Sequence, residues 1–135
     1  MPMRHSFDYA VLRVVPRVER GEFINAGVVV FCLEQKFLQA RIQLDEARLG
    51  ALWPGVDCGQ IQDHLEGIER ICSGDRAAGP IALLSQRERF HWIVSPRSTV
   101  IQVSPVHSGI CSSSEESLEG LFRLFVDSAT KGAGS

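Results

Sequence analysis

Arg97 stands among hydroxyl side chains in the turn Ser95-Pro96-Arg97-Ser98-Thr99, and His107 lies in a second polar turn, Ser104-Pro105-Val106-His107-Ser108-Gly109. A guanidinium flanked by Ser98 and Thr99 can hold a phosphate or carboxylate through several directed hydrogen bonds. An imidazole brought beside it could carry a proton as general acid or base. The same letters also suit plain hairpin turns, in which Pro96 and the serines only shape the backbone. Arg13 is the third candidate. It interrupts the apolar run Tyr9–Val15, on the face shared by Tyr9, Val11 and Val15. A guanidinium there is costly unless a carboxylate, a carbonyl or a bound anion meets it. Arg17 and Glu19 follow directly after Pro16, and the long connection 17–27 also carries Glu22, Phe23 and Asn25. Long connections are more often functional than short ones.

The elements that must position these residues follow from periodicity. Tyr9–Val15 predicts a first strand, closed by Pro16. Val28–Leu33 is apolar and β-branched, which suits a central strand. Phe37–Leu44 alternates, with Leu38, Ala40, Ile42 and Leu44 on one side and Gln39, Arg41 and Gln43 on the other. Asp45 caps a short helix through Leu52, halted by Pro54-Gly55. Asp57 opens a second helix with Ile61, Leu65, Ile68 and Cys72 on one face. The apolar runs Phe90–Val94 and Val100–Val103 predict two more strands. Ser113 and Glu116, at capping-box spacing, introduce a last helix with Leu118, Leu121, Phe122 and Phe125 as its stripe. The expected order is β-β-β-α-α-β-β-α: an α+β domain with a mainly antiparallel sheet of about five strands and helices on one face. The domain should span 7–128, with flexible ends at 1–6 and 129–135. Val28–Cys32 could be central within one subunit or join a dimer sheet, so a homo-oligomer stays open.

Composition narrows the function classes. With 135 residues, 44% of them hydrophobic and 22% charged, the chain suits one folded domain, not a disordered one. A net charge of −2 disfavours nucleic acid or anionic membrane as partner, although Arg87, Arg89 and Arg97 cluster locally. Cys32, Cys58, Cys72 and Cys111 form no CxxC pair, so free thiols are expected and no metal site is. With no secretory leader and no apolar run near the roughly 20 residues of a membrane helix, a cytoplasmic protein is expected. Phosphate-loop, dinucleotide-binding, nucleophile-elbow and zinc-protease motifs are absent from the sequence, and no cofactor is expected.

The stretches Phe7–Arg17, Glu22–Val28 and Arg89–Trp92, together with Pro96-Arg97-Ser98-Thr99, Gln102 and Pro105-Val106-His107, resemble a bacterial family termed a domain of unknown function, DUF3037. The resemblance runs from about Phe7 to Val126. It implies a small stand-alone protein whose relatives often accompany a HipA-like kinase, which makes such a kinase a candidate partner. The candidate ligand-binding set is then Arg13, Arg17, Asn25, Arg97, Ser98, Thr99 and Gln102, with His107 or Glu19 as candidate proton carrier. Two readings compete ahead of a third, a nucleic-acid-binding module that the charge balance disfavours. One is an accessory protein that docks a partner through its polar strand ends. The other is an enzyme or sensor acting on a phosphorylated or carboxylated small molecule.

Overall fold

A computed structural model describes residues 4–96 and 99–127. The long strand β1 (His5–Val14) is the axis of an antiparallel sheet. On one side it pairs with β2 (Ile24–Cys32), which pairs in turn with β3 (Phe37–Ile42). On the other side β4 (Ile101–Val103) pairs with the end of β1, and β5 (His107–Cys111) pairs with its beginning.

β4 and β5 are nearly one strand. Leu12 faces Val103 and Tyr9 faces His107, so Ala10 and Val11 stand opposite Ser104, Pro105 and Val106. The extra residue is a bulge, one of the few places where a sheet tolerates a proline. Ser104 repairs the ladder. Its N–H donates to Val11 O (2.9 Å), its buried Oγ accepts from Val11 N–H (2.8 Å), and that hydroxyl donates to Pro105 O (3.0 Å). Ser104→Ala should therefore cost about 1–3 kcal/mol by orphaning the Val11 amide. Urea unfolding of the variant against wild type checks this.

Alternation along β1 separates two faces. Ala10, Leu12 and Val14 point into the larger core, with Ile24, Ala26, Val29 and Phe31 from β2 and Leu38 and Ala40 from β3. That face is covered by α1 (Glu46–Leu52), α2 (Cys58–Ser73) and α3 (Gln86–Val94), through Leu49, Ile61, Leu65, Ile68, Phe90 and Ile93. Phe7, Val28, Val30 and Cys32 face the other way and pack on α4 (Ser114–Phe125) through Leu118. The five-stranded antiparallel sheet and the α+β class are as the periodicity predicts. The helices, however, occupy both faces: α4 has its own apolar stripe, and the central strands are apolar on both sides, so each face needs a cover.

Two local expectations are corrected. Phe90–Val94 is helical: Ser85 accepts from Glu88 N–H (3.2 Å) while Glu88 accepts from Ser85 N–H (3.3 Å), a complete capping box opening α3. Conversely, part of the expected turn Ser104–Gly109 belongs to β5. Gly109 is tolerable within that strand because the Phe7 ring lies over it; an added Cβ would stand 2.7 Å from Phe7 Cζ. The caps at Asp45 and Asp57 form as the sequence indicates, accepting from Arg48 and Gln60 N–H at 3.0 Å each. Ser113 accepts from Glu116 N–H at 3.3 Å.

The β2–β3 turn is held by both helical layers. Gln35 accepts from Ser114 N–H (3.0 Å) at the start of α4, and Gln86 of α3 donates to Lys36 O (3.0 Å). The cysteines are free, with Cys32, Cys72 and Cys111 buried and Cys58 half-buried. Burial pushes the Cys72 thiol up to about 12, with Arg89 opposing and Glu69 adding to the shift. A thiol-specific disulfide reagent should therefore modify Cys58 of the native protein first. The other three should react at comparable rates only in denaturant, since the thiolate is the nucleophile.

Candidate functional site

Arg13 has two cross-strand partners, Asn25 on β2 and Gln102 on β4. The three residues form a polar row across the sheet, on the α4 face and beside that helix's C-terminal end. A second bulge makes the row possible. Leu12 faces Gly27 while Arg13 faces Asn25, so Ala26 is the extra residue. Val28, Val30 and Cys32 face α4, yet after the bulge Ile24 and Ala26 point into the opposite core. Asn25 is thereby turned to the α4 face, next to Arg13.

The electrostatics of this row are unusual. The Arg13 guanidinium lies over the Phe23 ring, 4.2 Å from its centroid. Among the described residues no carboxylate pairs with Arg13, whose Nε is buried without a hydrogen-bond partner. Asn25 donates from Nδ2 to Phe125 O (3.1 Å), satisfying one of the terminal carbonyls of α4. That bond fixes the amide orientation, because a flipped amide would set two oxygens together. Asn25 Oδ1 is then left buried and unpartnered. An unmet donor and an unmet acceptor on adjacent strands each carry a desolvation cost of about 1–3 kcal/mol. Buried polar groups of this kind are rare in folded proteins. A cleft of about 280 Å³, walled by Asn25, Gln43, Asp45, Arg48 and Val126, opens beside the row.

The other candidates are placed differently. Gln102 Nε2 donates to Thr99 O (3.1 Å), and Thr99 Oγ1 donates to Ile101 O (2.7 Å). Thr99 borders a cleft on the α2 and α3 side of the sheet, with Ile68, Ile71 and Ile101. His107 is exposed and packs its ring on Tyr9, centroid to centroid 5.5 Å. Tyr9 precedes Arg13 by four strand residues, which separates the two backbone positions by about 13 Å along the sheet. A proton carrier must reach its substrate by a hydrogen bond or one water, so His107 and Arg13 do not act on one small group together. Arg17 and Glu19 are exposed in the connection after Pro16, where Arg20 and Glu22 form an ion pair at 2.7 Å. Arg97 and Ser98 lie outside the described residues.

Phe23 was not singled out by the sequence for a role at the site. No periodic signal marks it; its place under Arg13 depends on the path of the connection between β1 and β2. Among the described residues no group of three or more His, Cys, Asp or Glu side chains could hold a metal ion. No helix among them is long and apolar enough to cross a membrane.

Comparison with curated proteins and with solved structures finds no match for this chain. A family model described as a protein of unknown function, DUF3037, matches residues 9–126. That stretch contains β1 from Tyr9 onward, every other strand and all of the helices, and with it the Arg13–Asn25–Gln102 row. The chain belongs to the DUF3037 family.

Proposed function

We propose that this protein is an accessory binding protein, and that the Arg13–Asn25–Gln102 row receives a polar group of a protein partner. The unmet pair of Arg13 Nε and Asn25 Oδ1 carries this reading. Both atoms are shielded from solvent, so a peptide or carboxamide group of the partner, which offers the reverse pair, would meet them after a local opening of the row. A partner that supplies both bonds removes two desolvation costs at once, so its binding energy concentrates on these residues. The family resemblance suggests a HipA-like kinase as that partner.

The test is co-purification of the protein with a HipA-like kinase encoded in the same genome, followed by titration calorimetry. Wild type should form a complex, and Arg13→Met and Asn25→Ala should each weaken it ten-fold or more. Failure of wild type to bind would end the kinase version. A complex unaffected by both substitutions would move the interface elsewhere.

A second reading rests on the missing counter-ion. A half-buried guanidinium with no carboxylate partner suits a carboxylate- or phosphate-bearing small molecule as well. Under that reading a panel of small carboxylates and phosphate esters should include a compound that raises the melting temperature of wild type and not of Arg13→Met. If no compound does so, the small-molecule reading fails.

A further inference from the structure

We propose that the open edge of β3 is a docking site for an extended, lysine- or arginine-bearing segment of a protein partner, added to the sheet as a further strand. β3 ends the strand order on its side and, among the described residues, has only β2 as a neighbour. Gln43 N–H bonds Ala26 O at 2.8 Å. Antiparallel alternation then directs the N–H and C=O groups of Leu38, Ala40 and Ile42 to the open side. Natural sheets usually protect such an edge with a proline, a bulge or a covering element. β3 contains no proline, and its register with β2 runs without a shift from Phe37 to Ile42.

The edge forms the floor of a groove. A cavity of about 570 Å³ touches Gln39, Ala40 and Arg41 together with Glu69 on α2 and Glu115 and Glu116 on α4. A second cavity of about 360 Å³ continues it along Leu38, Gln39 and Ala40 toward Arg70 and Ser73. Residues of two helices thus flank the β3 edge on either side.

Charge identifies the occupant. Arg41 is engaged by Glu119 and lies over the Phe122 ring at 4.5 Å. Glu69, Glu115 and Glu116 remain, with no cation paired to them among the described residues, and they outweigh Arg70 of the second cavity. Burial, with the neighbouring Glu66, raises the Glu69 carboxyl above its ordinary value. Successive side chains of an added strand would point alternately toward α2 and α4, so basic residues on both faces meet carboxylates. Backbone bonds would supply affinity and the flanking acids specificity, as in other strand-addition complexes. A second copy of this chain is the poorer occupant, because pairing two β3 edges would bring two sets of these acids together.

The probe is a fluorescein-labelled octapeptide of Lys-Lys-Thr-Thr repeats with blocked ends, which sets lysines on both faces of a strand, compared with its Glu-Glu-Thr-Thr counterpart. Wild type should bind the lysine peptide and not the glutamate peptide. Glu69→Gln combined with Glu116→Gln should weaken binding ten-fold or more; Glu116 is exposed, Glu69 is half-buried and glutamine keeps its shape, so the urea midpoint should stay at the wild-type value. Hydrogen exchange read by NMR should slow at the Leu38, Ala40 and Ile42 amides when the lysine peptide is added. Absence of binding at millimolar peptide in low salt would overturn the proposal, as would binding that leaves those amides unprotected. A concentration-dependent dimer that protects the same amides without peptide would assign the edge to a second copy instead.

Discussion

Gly27→Ala lowers the urea midpoint by the equivalent of roughly 1–3 kcal/mol, the usual cost of forcing a methyl group into a packed site. The added Cβ would stand 2.8 Å from Arg41 O, 3.0 Å from Ile42 Cγ2 and 3.1 Å from Leu12 Cδ1. The first of these neighbours is main chain of the adjoining strand, so it cannot swing aside as a side chain would. Elsewhere in a strand, alanine would gain a few tenths of a kcal/mol over glycine from reduced chain entropy. Here the sign reverses. The effect should also reach the site, because Gly27 adjoins the bulge at Ala26 that turns Asn25 toward Arg13. Chemical denaturation checks the first part, and the NMR shift of the Asn25 side-chain amide, bonded to Phe125 O in the wild type, checks the second.

Arg13→Met is expected to act in the opposite direction on stability. Methionine keeps much of the unbranched stem and removes a half-buried guanidinium that has no carboxylate partner among the described residues. Loss of the contact with Phe23 costs about 0.5–1 kcal/mol. Relief of the unmet desolvation returns about 1–3 kcal/mol, so the variant should be as stable as wild type or more stable by about 1 kcal/mol. Partner binding should nevertheless fall ten-fold or more. A residue that lowers stability and supports binding has the signature of a functional group maintained against its structural cost. Equilibrium unfolding and calorimetry on one preparation separate the two effects.

Much of the fold was legible because its signals are local. Alternation in Phe37–Leu44 and the acids at Asp45 and Asp57 specify a strand and two helix starts without tertiary context. Phe90–Val94 shows where such reading fails: five apolar or aromatic residues do not distinguish a strand from a buried helix turn. The deciding letters stand upstream, at Ser85 and Glu88, whose spacing is that of a capping box. β5 was obscured for a different reason. Its glycine and the nearby proline resemble a turn until Phe7, about a hundred positions earlier, is seen to cover Gly109.

The site was legible only in part for the same physical reason. Arg13 draws notice as a charge in an apolar strand, and Asn25 as a polar residue in a long connection. Their adjacency depends on a bulge, and a bulge has no reliable signature in a single sequence. The separation of His107 from Arg13 follows from strand pairing that turn composition does not reveal. Placement of α4 on the second face could be inferred from Val28–Cys32, where apolar residues at both parities require cover on both sides.

NMR of protein labelled at its arginine side chains, titrated with a HipA-like kinase as the proposed partner, tests the proposed role of Arg13 most directly. Formation of the complex should shift the Arg13 Nε–H signal and slow its exchange with water by ten-fold or more, as a partner's acceptor replaces the missing bond. A complex that forms while this signal and the Asn25 amide stay unchanged would contradict it.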